Sequence, residues 1–284
     1  MSSTPPVTAA LAGTLTLGGD LTVHRMGFGA MRLTGKGIWG EPANREECKA
    51  VLRRALELEI NFIDTADSYG PEVSENLIAE ALYPYPKGLV IATKGGQVRP
   101  GPDQWVPDGR PEHLRQACEG SLRRLRVDHI DLYQLHRPDP KVPFDQSVGA
   151  LAALQREGKI RHIGLSNVTV DQLEQASRIV QVVSVQNRYS LFDRSSEGVL
   201  QACQREGIAF IPWAPLGSGK QAAALEQVAA RHQATPGQLA LAWLLHHSPV
   251  MLPIPGTSRV AHLEENVAAV AIRLTDEEMV LLEQ

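Results

Sequence analysis

The chain has 284 residues, 43% hydrophobic and 21% charged, with a formal net charge of -4. This is the composition of a soluble globular protein, and its slight acidity argues against nucleic acid or an anionic membrane as main partner, since both select basic surfaces. The length would divide into two domains of about 150 residues, but α/β barrels commonly run to about 250 residues as one unit.

The N-terminal stretch MSSTPPVTAALAGTLTLGGD has no basic leader and no compact apolar run, so no secretory signal is expected. Nowhere do the roughly 18 uninterrupted apolar residues of a spanning helix occur. The expectation is a cytoplasmic protein without membrane contact. Cys48, Cys118 and Cys203 lie far apart, each in a helical-looking segment. An odd, scattered set suits neither a disulfide framework nor a zinc site, so buried apolar thiols in a reducing compartment are expected.

In chain order, TLTLGGDLTV alternates around Gly18-Gly19-Asp20 and predicts a two-stranded hairpin. Short β-rich runs follow at 24–29, 62–66, 89–93, 130–135, 160–165, 182–187, 208–213 and 250–254, separated by segments of helical spacing. Over 45–59, Cys48, Val51, Leu52, Ala55 and Leu56 form one stripe. Over 112–126, Leu114, Ala117, Cys118, Ser121, Leu122 and Leu125 form another. Asn44, Pro111 and Thr235-Pro236 mark helix starts. Strands alternating with helices predict βα units and a parallel sheet, and eight such units predict a closed (β/α)₈ barrel. With no repeat, low-complexity tract or linker, one domain spanning residues 1–284 is expected. The rival fold is a doubly wound dinucleotide-binding sheet with GxGxxG between its first strand and helix. Here Gly27-Phe28-Gly29-Ala30-Met31-Arg32 has arginine in place of the third glycine, and a long loop follows; that fold is rejected.

Active residues of such barrels sit at the C-terminal ends of strands. Asp64 and Tyr69 follow the second strand, in FIDTADSYG. Lys94 ends the third, His136 the fourth, Ser166-Asn167 the fifth and Gln186-Asn187 the sixth. Trp213 leads into PLGSG after the seventh, and the eighth ends in PGTSR. Four of these make a proton-transfer set. A tyrosine has a reference pKa of about 10, and a nearby ammonium is expected to lower it. Lys94 supplies the ammonium, Asp64 holds it charged, and His136 orients a substrate oxygen. Singly, each has a structural explanation: a capping aspartate, a packed tyrosine, a solvated lysine, a satisfied core histidine. It is their placement on adjacent strand ends that points to chemistry. Arg259 and the start of the helix after IPGTSR form an anion site, for which the alternative is an ordinary βα turn.

These motifs resemble the aldo-keto reductase superfamily. The likeness runs in order through GFGAMRL, FIDTADSYG, ATKGG, DLYQLHRPD, IRHIGLSN, VQNRYS, PWAPLGSG and IPGTSRVAHLEEN. It implies a (β/α)₈ barrel that reduces an aldehyde or ketone by direct hydride transfer from NADPH, with no metal or flavin. The tetrad falls on Asp64, Tyr69, Lys94 and His136, with Tyr69 as general acid. By the same resemblance Ser166, Asn167 and Gln186 hold the nicotinamide carboxamide, with Trp213 stacked on the ring where the family usually has tyrosine. Leu216, Gly217 and Ser218 wrap the pyrophosphate; Gly256, Thr257, Ser258 and Arg259 take the adenosine phosphate; Glu265 and Asn266 meet the adenine. Many members have a lysine near Gly256 and an arginine near His262. Here Arg259 carries that charge, with His262 beside it, and NADPH (NADP+) is expected over NADH. EALYPY, LSNVT and ATPGQLALAWLLHHSP look most like the pyridoxal reductase branch, which makes pyridoxal the candidate among small carbonyl substrates. Trp39 and Trp105 lie in loops that would shape the substrate pocket. Two other classes compete: an NADPH-binding sensor or regulatory subunit with little turnover, and a metal-dependent barrel hydrolase. The intact tetrad disfavours the first. The second lacks ligands, since only His136 stands at a suitable strand end.

Overall fold

The computed structural model describes residues 7–216 and 223–283. The hairpin anticipated at the start forms, with β1 (Thr14–Leu17) antiparallel to β2 (Leu21–His24). Gly18 and Gly19 turn the chain with φ of 61° and 88°, where side chains are disfavoured. A Cβ on Gly18 would also come within 2.2 Å of the His162 ring.

The βα units then follow. β3 (Phe28–Gly29) precedes α1 (Arg45–Glu57), and β4 (Phe62–Asp64) precedes α2 (Val73–Leu82). β5 (Val90–Gly95) leads into a small antiparallel pair, β6 (Gln97–Val98) with β7 (Val106–Pro107), before α3 (Pro111–Leu125). β8 (Ile130–Leu135) and α4 (Phe144–Arg156) come next, then β9 (Ile160–Ser166) and α5 (Val170–Ser177). β10 (Val182–Arg188), α6 (Glu197–Glu206) and β11 (Ala209–Trp213) are followed by α7 (Ala223–Arg231) and α8 (Pro236–His247). The last helices are α9 (Val260–Ala268) and α10 (Asp276–Glu283).

Seven strands pair in parallel in the order β3, β4, β5, β8, β9, β10, β11. The eighth run closes the ring without forming a regular strand. Phe210 N–H donates to Val250 O and Leu252 N–H to Phe210 O, both at 2.8 Å. On the other edge, Gly27 N–H donates to Pro253 O at 3.0 Å and Gly29 N–H to Pro255 O at 3.5 Å. Pro253 and Pro255 have no N–H to return, so this segment accepts from β3 without completing a ladder. The strand expected at 24–29 is also displaced: His24 belongs to the hairpin, and only Phe28–Gly29 joins the barrel.

The helix starts follow the sequence signals. Asn44 Oδ1 accepts from Glu47 N–H at 3.0 Å, Pro111 opens α3, and Thr235 with Gln238 makes a capping box ahead of Pro236. The stripes of α1 and α3 face the barrel, burying Cys48, Val51, Leu52 and Ala55 from one and Leu114, Cys118, Ser121 and Leu125 from the other. All three thiols are free and buried, and burial pushes those of Cys118 and Cys203 up to about 12. A second core fills the barrel itself. The hairpin side chains Leu17, Leu21 and Val23 pack there against Phe62, Val90, Val183 and Ala209 at the strand starts. The hairpin thus plugs one end, which leaves the C-terminal strand ends as the open mouth. No helix among the described residues is long and apolar enough to cross a membrane.

Candidate active site

The parallel sheet brings the four predicted residues together at the mouth. Asp64 ends β4, Lys94 is the penultimate residue of β5, and His136 follows β8. Tyr69 lies on the loop between β4 and α2, with Tyr69 N–H donating to Ala66 O at 3.2 Å and Tyr69 O accepting from Ser74 N–H at 3.1 Å. All four side chains are buried, Lys94 completely.

Lys94 sits at the centre. Its ammonium donates to Asp64 Oδ2 at 2.7 Å, to Thr65 O at 2.9 Å and to the Tyr69 hydroxyl at 3.2 Å. Asp64 Oδ1 accepts from Gln134 Nε2 at 3.0 Å and Gln186 Nε2 at 2.8 Å, so both carboxylate oxygens are engaged. Burial works against the Lys94 charge, but Asp64 and Tyr69 outweigh it and raise the pKa. Lys94 does lower the pKa of Tyr69, as expected, but the net shift is upward. Burial of the phenol dominates, Lys94 opposes it only in part, and the pKa lies above the ordinary value. Tyr69 therefore holds its proton at neutral pH. His136 moves the other way: burial, then the charges of Lys94, Arg137 and Arg99, take it well below the usual histidine range, so its ring is neutral. The ring stands edge-on to Tyr69, with centroids 5.8 Å apart and planes at 84°.

Three further contributors are not singled out by the sequence, although Ser68 lies in FIDTADSYG and Gln134 in DLYQLHRPD. Gln134 precedes His136 by two residues and so points to the same side of β8, which is a further hint the sequence offers. Ser68 places Oγ 3.2 Å from His136 Nδ1. Arg99 is buried and donates to the carbonyls of Gly37, Ile38, Ser68 and Gln104, tying together three loops at the mouth. Its guanidinium carbon lies 3.6 Å from the centroid of the Trp105 ring and 5.8 Å from that of Trp39. Trp105 in turn meets Tyr69 edge-on at 6.3 Å and His136 at 6.2 Å, which brings it to the tetrad. Trp39 is farther out, bridging to Gly70.

The remaining predicted residues continue around the mouth. Ser166 ends β9, Gln186 lies near the end of β10, and Trp213 ends β11. Asn167 has φ of 59° and spends its amide on the protein itself. Its Nδ2 donates to His136 O and Ser166 Oγ, and its Oδ1 accepts from Trp213 Nε1 at 3.0 Å. Leu216 is exposed in the turn after β11. Gly217 and Ser218 lie outside the described residues. Gly256 has a packing reason to be glycine, because a Cβ there would come within 2.4 Å of Gly29 O. Thr257 is buried and its Oγ1 accepts from Arg259 N–H at 3.1 Å, while Ser258 is half-buried. Arg259 is exposed at the N-cap of α9 and its side chain makes no cap hydrogen bond. Glu265 is tied to α8, accepting from Thr235 Oγ1 at 2.8 Å, with Asn266 beside it on α9. Among the described residues no group of three or more His, Cys, Asp or Glu side chains could hold a metal ion.

The family model described as Aldo/keto reductase family matches residues 25–284. The chain belongs to the aldo/keto reductase family. An uncharacterised oxidoreductase of Schizosaccharomyces pombe is 57% identical over 281 residues, covering 98% of this chain and 91% of its own length. Pyridoxine 4-dehydrogenase of Escherichia coli is 44% identical over 274 residues, with 94% and 96% covered. An aldo-keto reductase of Klebsiella pneumoniae, solved in complex with NADPH, superposes with a TM-score of 0.80 at 28% identity, over 95% of this chain and 93% of that one. As an aldo/keto reductase the protein is an oxidoreductase, and its (β/α)₈ barrel is the fold of these relatives.

Proposed function

We propose that the protein reduces a small aldehyde or ketone to its alcohol with NADPH, and that Tyr69 donates the proton. One observation carries the assignment. Lys94 gives its three N–H bonds to Asp64, Thr65 and the Tyr69 oxygen, so that oxygen accepts from Lys94 and its own proton remains to be given. Bound in the mouth, NADPH supplies the hydride to the carbonyl carbon. The carbonyl oxygen takes the Tyr69 proton, Lys94 stabilises the phenolate left behind, and Asp64 keeps Lys94 charged and in place. Neutral His136 donates a hydrogen bond to that oxygen and orients the carbonyl.

The chain's residues suit the cofactor. The Ser166 hydroxyl and the side-chain amide oxygen of Gln186 remain available to the carboxamide, whereas Asn167 serves mainly to hold Trp213 and His136. Trp213 offers a ring face, with the Arg188 guanidinium 5.7 Å from its centroid. At the other end, Arg259 and the first N–H groups of α9 would take the adenosine phosphate, with Thr257 and Ser258; Glu265 and Asn266 would meet the adenine. This favours NADPH over NADH. The whole chain is read as one barrel domain. Pyridoxal is the candidate substrate, because the Escherichia coli relative is named for pyridoxine, the alcohol of that aldehyde.

The test is cofactor oxidation followed with NADPH and with NADH against pyridoxal and a panel of aldehydes, ketones and sugars. Turnover that prefers NADPH and survives a chelator is expected. Tight NADPH binding without turnover on any carbonyl would instead make the protein a sensor.

A further inference from the structure

The backbone of His136 is pinned on both sides, since its N–H donates to Gly95 O at 2.9 Å and its carbonyl accepts from Asn167 Nδ2 at 3.0 Å. The ring has one hydrogen-bond partner among the described residues, Ser68 Oγ, which lies 3.2 Å from Nδ1. Both residues are buried. Nε2 has no partner among the described residues.

A neutral imidazole carries one proton, and the contact at one nitrogen decides which nitrogen bears it. A hydroxyl can donate or accept, so the Ser68 distance alone allows both tautomers. The chemistry separates them. A carbonyl oxygen offers only lone pairs, so a His136 that orients it must present N–H at Nε2. Nδ1 is then a buried lone pair that needs a donor, and Ser68 O–H is the donor in reach. In the opposite tautomer the Nε2 lone pair would face the lone pairs of the carbonyl oxygen and repel it.

Ser68 is itself held in place. Its carbonyl accepts from Arg99 Nη1 at 3.1 Å, and the same guanidinium binds Gly37 O, Ile38 O and Gln104 O. Loops from both sides of the mouth therefore converge on the residue that meets His136.

We propose that Ser68 is a positioning residue, whose hydroxyl donates to His136 Nδ1 and keeps the imidazole proton on Nε2, the nitrogen that meets the substrate oxygen. The proposal rests on the reductase reading above and extends it to a residue outside the tetrad.

Selective ¹⁵N labelling of histidine, on the full chain, reads the tautomer directly. In the wild type the His136 signals should be those of a protonated Nε2 and an unprotonated Nδ1. Ser68→Ala should mix the two tautomers and lower kcat/KM for pyridoxal, or for the best carbonyl of the panel, by about tenfold, the scale of one hydrogen bond. NADPH binding should stay within about twofold, because Ser68 acts on the carbonyl side alone. In a His136→Asn background the same serine change should cost less than about twofold, since its effect passes through the ring. A wild-type ring protonated at Nδ1, an undiminished Ser68→Ala variant, or an equal loss in the His136→Asn background would each overturn the proposal. If the wild type turns over no carbonyl, the reductase reading fails instead, and the NMR spectrum still reports the tautomer.

Discussion

Lys94 is a fully buried ammonium whose charge is met by one carboxylate, and that exposes the site to any change at Asp64. Asp64→Asn would leave the charge uncompensated in a low-dielectric pocket, a situation that costs about 3–5 kcal/mol. A fall of that size is expected in the unfolding free energy from urea titration, together with a loss of kcat. A second, half-buried acid lies close by. Asp67 Oδ1 is enclosed without a hydrogen-bond partner among the described residues. Burial first, and then Glu75, raises its pKa to about 8. The folded protein therefore keeps a proton there that the unfolded chain releases near pH 4, so this residue's contribution to stability falls as pH rises from about 4 to about 8. Thermal melts at pH 5 and pH 8.5 should show a smaller drop for Asp67→Asn than for the wild type; equal drops would contradict the assignment. The tetrad was legible in the sequence because each member falls at or just past the end of a recognisable apolar strand. Gln134 sits inside such a strand, Ser68 is a small polar residue in a loop, and Arg99 lies in an irregular segment. Their importance arises from contacts between segments far apart in the chain, which no local pattern records.

The element with the largest structural consequence is the N-terminal hairpin. Asp20 in its turn accepts from Arg161 at 2.7 Å and pairs with His162 at 2.6 Å, while Asn61 bonds the backbone of Thr22 and His24. These contacts seat Leu17, Leu21 and Val23 in the barrel end opposite the active site. Leu21→Ala should lower stability by about 2–5 kcal/mol, the usual cost of such a cavity. Denaturant titration measures that loss, and kcat of the folded variant should stay within about twofold because the mouth is untouched. The alternation of TLTLGGDLTV made this hairpin readable, as Asn44, Pro111 and Thr235 made the helix starts. The pair β6 and β7 went unseen, since two-residue strands interrupted by Pro100, Gly101 and Pro102 show no period. The closing segment was read as a strand from its apolar run. Pro253 and Pro255 then limit it to accepting hydrogen bonds from β3, a detail of backbone chemistry that hydrophobicity does not carry.

For the whole molecule, the barrel plugged at one end explains why the proposed site gathers at the other. Parallel strands deliver Asp64, Lys94, His136, Ser166, Gln186 and Trp213 to one rim. The alternation of strand and helix gave the architecture, and the residues at strand ends gave the family. What local pattern could not give was the direction of the Tyr69 pKa, which depends on how deeply the finished barrel buries the phenol. A phenol that keeps its proton suits a donor in the direction of reduction. The most direct test of the account is the turnover of Tyr69→Phe with NADPH and the best carbonyl substrate, measured alongside NADPH binding by the same protein. The account predicts that kcat falls by at least about two orders of magnitude, the scale of a lost general acid, while the NADPH dissociation constant stays within about twofold. Carbonyl reduction at a near wild-type rate by that variant would contradict it.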